Sequence, residues 1–224
     1  MDADYQLGGA APPSSNVRIV VRDRTARPAP GRYNVCYVNG FQTQPNERAF
    51  WSRHRSLILT RGGRPVLDEA WGEFLLDIRT PAKRRAIGSI VGGWIRGCAR
   101  RGFDAVEIDN LDSFSRSGGL LTAGQAIATA RLFTTAAHRA GLAIGQKNWA
   151  GFDGRRRAAF DFAVAEECGR FDECGAYARV YGRRVLVIEY RRADFDRACR
   201  AWGGRLAIEL RDLDLTPGGV RGWC

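Results

Sequence analysis

Short runs of Val, Ile and Leu, five to seven residues long, recur along this chain with longer Ala- and Arg-rich stretches between them. That rhythm restricts the possible folds more than any other feature. The runs are Asn34 to Asn39, Ser56 to Thr60, Glu73 to Ile78, Asp104 to Asp109, Leu142 to Lys147, Phe160 to Glu166, Arg184 to Glu189 and Arg205 to Leu210. Most are near-continuously apolar rather than alternating, as expected of parallel strands covered on both faces. The intervening stretches carry helix signals. Pro81 stands near the start of one, running to Arg100. Thr122 caps another that ends at Arg139, before Gly141. Eight such units predict an α/β chain folded as a single-domain (β/α)8 barrel. An open doubly wound sheet is the competing arrangement, but no glycine-rich phosphate loop follows the first run. Residues 1–30, with paired Gly, Pro and Ser, read as an extended lead-in holding one short strand at Val17 to Val21. The barrel domain then spans residues 31–224.

The C-terminal ends of these runs hold a distinctive set of polar residues. They are Asn39, Asp77, Asp109 with Asn110, Lys147 with Asn148, Glu166 with Glu167, Glu189, and Arg211 with Asp212. In a barrel all these ends meet at one face, where active sites lie. Strand alternation places Glu107 below Asp109 on the same face. Buried there, Glu107 needs a partner, and Lys147 is the candidate. The same alternation favours Glu166 over Glu167 as the cleft residue. Two carboxylates across a cleft suit glycoside hydrolysis, one protonating the leaving oxygen and the other ionised to attack or to activate water. We expect Asp109 and Glu166 in these roles, with Glu166 as the acid. Tyr37, two residues before Asn39, should stand just below the rim. Trp149, directly after Asn148, should lie above the barrel. One pocket bounded by Tyr37, Asp77, Asp109, Lys147, Glu166 and Glu189 is expected. His54 and His138 lie at no strand end, so a Ser-His-Asp arrangement has no support.

The residues at 102–114 (GFDAVEIDNLDSF), 141–148 (GLAIGQKN), 160–174 (FDFAVAEECGRFDEC) and 185–190 (VLVIEY) occur in an order shared with a known family. With YNVCYVNGFQTQ at 33–44 and LLDIRTP at 75–81, they resemble glycoside hydrolase family 114, the endo-α-1,4-polygalactosaminidase family related to spherulin-4-like proteins. The resemblance covers about residues 33–224. It implies a barrel that cleaves a galactosamine-containing polysaccharide without metal or cofactor. It places the acidic pair on Asp109 and Glu166, and polar cleft positions on Asp77, Lys147, Asn148 and Glu189. Ile108 stands where the family often has Pro.

The six cysteines permit three disulfides, and none has C-x-x-C spacing. We expect Cys168 bonded to Cys174 around the loop after Glu166, and Cys199 bonded to Cys224 at the C-terminus. Cys36, inside an apolar run, reads as a buried thiol. Oxidised pairs imply secretion. Residues 1–5 do not read as a signal peptide, so either an export signal has already been removed or the protein stays inside. The longest apolar runs are too short to span a bilayer.

The net charge of +11 raises the question of a nucleic-acid partner. The excess is nearly all Arg, scattered through every segment, with no DNA- or RNA-binding signature. The resemblance implies an amino-sugar polymer as the partner; the protein is expected to be a monomer, and neither nucleic acid nor membrane is expected to bind. A barrel that binds glycan without cleaving it is the alternative function, and it would not need both acids. A deacetylated polymer is cationic and should be repelled by a +11 protein. Either the cleft is locally acidic, or the substrate is acetylated, neutral or anionic.

Overall fold

The computed structural model describes residues 2–224. Eight parallel strands form its centre: β1 (Asp2–Gln6), β2 (Val17–Asp23), β3 (Tyr33–Asn39), β4 (Ala105–Asp109), β5 (Ala143–Lys147), β6 (Phe162–Glu166), β7 (Val185–Glu189) and β8 (Ala207–Arg211). They are hydrogen-bonded in that order, and an antiparallel ninth strand, β9 (Arg221–Trp223), borders β8. The sheet curls into a nearly closed (β/α)8-type barrel. No backbone ladder joins β1 to β8 among the described residues. Side chains bridge that seam instead. Glu209 Oε2 accepts from the Tyr5 N–H at 2.8 Å, the Arg211 guanidinium donates to the Tyr5 carbonyl, and the Trp223 indole donates to the Ala3 carbonyl at 2.6 Å.

The helices on the outside are α1 (Pro81–Arg100), α2 (Ala123–Arg139), α3 (Gly154–Ala158), α4 (Cys174–Tyr181) and α5 (Arg192–Trp202). Thr80 caps α1, with Pro81 in its first turn, and Thr122 with Gln125 forms a capping box on α2. These devices satisfy backbone N–H groups that a helix start leaves without partners. The main core lies between strands and helices, and includes Val38, Ile87, Val91, Ile108, Phe133 and Ile144. A smaller cluster with Tyr5, Val35, Tyr37, Val164 and Ile188 fills the lumen. Gly145 is required there, because a Cβ on it would collide with the Phe162 ring.

The barrel therefore has eight parallel strands, but two of them are not those expected. The reading of residues 1–30 as a lead-in is corrected, since Asp2–Gln6 and Val17–Asp23 are barrel strands. Ser56 to Thr60 and Glu73 to Ile78 lie outside the barrel sheet. They belong to the long connection between β3 and α1, where short antiparallel pairs and single bridges satisfy their backbone. Their apolar residues Leu57, Ile58, Leu59, Leu75 and Leu76 are buried all the same. They give the same apolar signal as a strand because they pack in the same core.

Cys168 pairs with Cys174 and Cys199 with Cys224. Cys36 is bonded to Cys98, which corrects its reading as a free thiol and ties β3 to α1. No helix among the described residues is long and apolar enough to cross a membrane.

Candidate active site

The chain leaves three adjacent strands abruptly. Asn110, Asn148 and Glu167, each at or next to the residue following β4, β5 or β6, have φ of 63°, 51° and 56°. Left-handed backbone in residues other than Gly is uncommon and clusters at functional sites. Here it turns the chain away just past Asp109, Lys147 and Glu166, so these side chains end their strands facing a common mouth. They line one cleft of about 400 Å³.

Lys147 organises the cleft floor. Its ammonium lies 3.0 Å from Glu107 Oε1, 3.4 Å from Glu166 Oε2 and 3.7 Å from Asp109 Oδ1. It also donates to the Tyr5 hydroxyl at 2.8 Å, and that hydroxyl donates to Glu107 at 2.6 Å. Lys147 is only 2% exposed. Burial would lower its pKa, but Asp109, Glu107 and Glu166 together hold it well above the ordinary lysine value. It stays an ammonium. Burial lifts the Glu107 carboxyl to about 7, Asp109 adds to that, and the contacts with Lys147 and Tyr5 oppose it.

Each of the two outer acids has its own tyrosine. The Tyr37 hydroxyl donates to Asp109 Oδ2 at 2.7 Å, and the Asn110 N–H donates to Asp109 Oδ1 at 2.7 Å. The Tyr190 hydroxyl donates to Glu166 Oε1. Asn148 fixes the Glu166 backbone by accepting its N–H at 2.9 Å. Asp109 and Glu166 are 17% and 23% exposed, open enough to meet a ligand. The two contacts to one Nζ cap the distance between Asp109 Oδ1 and Glu166 Oε2 at about 7 Å.

Tyr37, Asp109, Asn110, Lys147, Asn148 and Glu166 thus share the cleft. Other residues expected there do not line it. Asp77 is buried under Arg79 and Lys83. Burial alone would raise its carboxyl, but hydrogen bonds from those two cations bring it to about 2. Glu189 is buried against the loop closed by Cys168–Cys174 and accepts the Gly169 N–H at 2.6 Å. Burial lifts its carboxyl to about 7. Asp212 accepts from the Thr216 N–H at 2.8 Å, and Trp149 stacks on Phe152 with ring centroids 4.2 Å apart. Asn39 acts at one remove, donating to Glu73 Oε2 at 2.9 Å.

Glu73 does line the cleft, and burial lifts its carboxyl to about 7 against the pull of that Asn39 bond. Asp68, Trp71, Asp112, Arg116 and Asp214 line it too. Sequence reasoning missed these residues. They enter from connections rather than strand ends, so alternation carries no signal for them. Arg116 bridges Asp68 at 2.8 Å and Asp112 at 3.1 Å, forming one wall.

A pair of carboxylates at the C-terminal mouth of a parallel barrel suits the chemistry of the glycoside hydrolases. The chain belongs to glycoside-hydrolase family GH114, whose family model matches residues 1–224. The match includes β1 and β2, beyond the 33–224 covered by the sequence resemblance. Three solved structures share the fold. Ega3 of Aspergillus fumigatus, in complex with galactosamine, aligns with TM-score 0.78 at 22% identity, covering 100% of this chain and 94% of that one. The glycoside hydrolase domain of PelA from Pseudomonas aeruginosa aligns at 0.66 and 15%, covering 98% and 97%. The GH36 α-galactosidase AgaA of Geobacillus stearothermophilus aligns at 0.51 and 11%, covering 88% of this chain and 34% of that one. Comparison with curated protein sequences gives no match.

Proposed function

We propose that this glycoside hydrolase cleaves an α-1,4-linked, galactosamine-containing polysaccharide, with Asp109 and Glu166 as its catalytic pair. The observation that carries this reading is the shared contact of both acids with the Lys147 ammonium, in one cleft at the barrel mouth. Glu166 protonates the glycosidic oxygen. Asp109 faces it across the cleft, oriented by Tyr37, the Asn110 N–H and Lys147. The two carboxylate oxygens that face Lys147 lie within about 7 Å of each other, which accommodates the roughly 5–5.5 Å spacing of retaining carboxyl groups. We therefore assign Asp109 as nucleophile and expect retention of configuration.

Charge supports the amino sugar. Asp68, Glu73, Asp109, Asp112, Glu166 and Asp214 line the cleft, opposed only by Arg116 and Lys147. The mouth is acidic although the protein carries +11 overall. An ammonium-bearing sugar gains by entering it, and the related Ega3 structure holds galactosamine. Three disulfides fit secretion into an oxidising medium. The test is incubation with hexosamine polymers of graded acetylation, products analysed by mass and the first-formed anomer by NMR. Cleavage of α-1,4-galactosaminan with the α-anomer first is expected. The β-anomer first would refute the nucleophile assignment, and an intact polymer would refute the substrate.

A further inference from the structure

A cavity of about 1060 Å³ lies at the opposite end of the barrel from the acids. It opens among the N-terminal ends of the strands. Barrels of this kind normally fill their interior with layers of bulky branched side chains. Here β5 and β8 begin with Ala143 and Ala207, and the lowest layer stays unfilled. Ile19, Val35, Phe162 and Leu186 complete an apolar wall.

Four arginines, Arg18, Arg183, Arg184 and Arg205, stand around this recess and are exposed. None is ion-paired among the described residues. Arg18 donates to the Ser15 carbonyl at 3.4 Å, Arg183 donates to the Gly204 carbonyl at 3.1 Å, and the Arg205 guanidinium lies 5.4 Å from the Trp202 ring. Asp161 is the one acid lining the recess, and its Oδ2 is already engaged. It lies 2.8 Å from His138 Nε2 and accepts the Ile144 N–H at 2.9 Å. The rim therefore carries net positive charge, four arginines against the one carboxylate of Asp161. Some arginines elsewhere have Asp or Glu partners, Arg24, Arg79, Arg116 and Arg197 among them.

An apolar recess beneath a guanidinium rim complements a ligand with an apolar body and one anionic head. We propose that the base of the barrel binds a long-chain carboxylate. Its tail enters the recess and its head is held by the arginines, whose planar fork matches a carboxylate. This site shares no residue with the cleft at the other end. Each methylene buried should tighten binding by up to about fourfold.

Titration calorimetry of the disulfide-intact protein tests this with three probes below their micelle concentrations: dodecanoate, hexanoate and neutral dodecyl maltoside. We expect saturable one-to-one binding of dodecanoate, with hexanoate and dodecyl maltoside each at least tenfold weaker. The pair R183E/R184E should weaken dodecanoate at least tenfold with the thermal transition unchanged. The pair R18E/R205E is an independent repeat should the first fail to fold. Three results overturn the proposal: no dodecanoate binding to folded protein, equal binding of the neutral surfactant, or unchanged dodecanoate affinity in a folded charge-reversed variant.

Discussion

Replacing Lys147 with Met removes the ammonium at the cleft floor and keeps most of the side-chain bulk. Glu107 is fully buried and Lys147 nearly so, so solvent screens neither. Removing one partner of a buried pair costs about 3–5 kcal/mol, because the other is left as an uncompensated charge. Glu107 can escape that penalty by binding a proton. In the wild type, burial already lifts it to about 7 from an ordinary 4.5. A carboxyl raised on folding favours the folded state fully below its unfolded pKa and loses that contribution as pH climbs through its folded value. Without Lys147 the folded value rises further, since unpartnered buried glutamates reach about 8–9. Between those two folded values the variant takes up more of a proton on folding than the wild type, whose Glu107 is already about half ionised at pH 7. With folded values of about 8–9 in the variant and about 7 in the wild type, the stability gap should widen by about 1–2 kcal/mol between pH 6 and pH 9. Urea unfolding of disulfide-intact protein at pH 6 and pH 9, followed by circular dichroism, measures this. Adding Glu107→Gln to the variant should abolish the pH dependence. A gap equal at both pH values, or one that persists in the double variant, would refute the charge argument.

Asp109→Asn and Glu166→Gln should each abolish turnover while the thermal transition stays within a few degrees, and wild-type rates from either folded variant would remove that residue from catalysis. Paired Cys→Ser substitutions should destabilise in order of the chain each bridge closes, measured by denaturant midpoints. The sequence separations of 62, 25 and 6 residues correspond to about 4, 3.5 and 2.5 kcal/mol for Cys36–Cys98, Cys199–Cys224 and Cys168–Cys174. Trp71 is 60% exposed in the cleft wall, so Trp71→Ala should raise KM about five- to tenfold by losing one sugar-stacking face, with kcat and stability little changed. Deleting residues 2–7 removes a barrel strand, and soluble, fully active protein from that deletion would contradict the closure described above.

Period-two alternation is informative wherever a strand carries apolar neighbours. From the sequence alone it places Glu107 beneath Asp109, where burial makes Lys147 its candidate partner, and sets Tyr37 below the rim. It fails at both ends of the hydrophobic scale. Ser56 to Thr60 and Glu73 to Ile78 are apolar because they bury Leu57, Leu59, Leu75 and Leu76 under the barrel's outer layer, which needs no ladder. Periodicity cannot tell such a buried connection from a buried strand.

The opposite error, at β1, shows how this barrel closes. Asp2–Gln6 holds three polar residues in five and carries no apolar run. Yet Asp4 and Gln6 are buried, the Gln6 amide donating to Asp4 at 2.6 Å and accepting from Arg22 Nε at 2.9 Å, with Arg211 Nη1 3.4 Å from Asp4. The seam is held by a largely hydrogen-bonded polar network rather than by aliphatic packing, with Glu209 Oε1 left without a hydrogen-bond partner, and such partnering offsets most of the cost of burying polar groups. Ala3 and Tyr5 lie on the opposite face of the same strand. From there Tyr5 reaches Lys147 and Glu107 beneath the two acids. One short polar strand therefore closes the barrel with one face and supports the candidate catalytic charges with the other, which is why neither the seam nor the Tyr5 contact could be read from hydrophobicity.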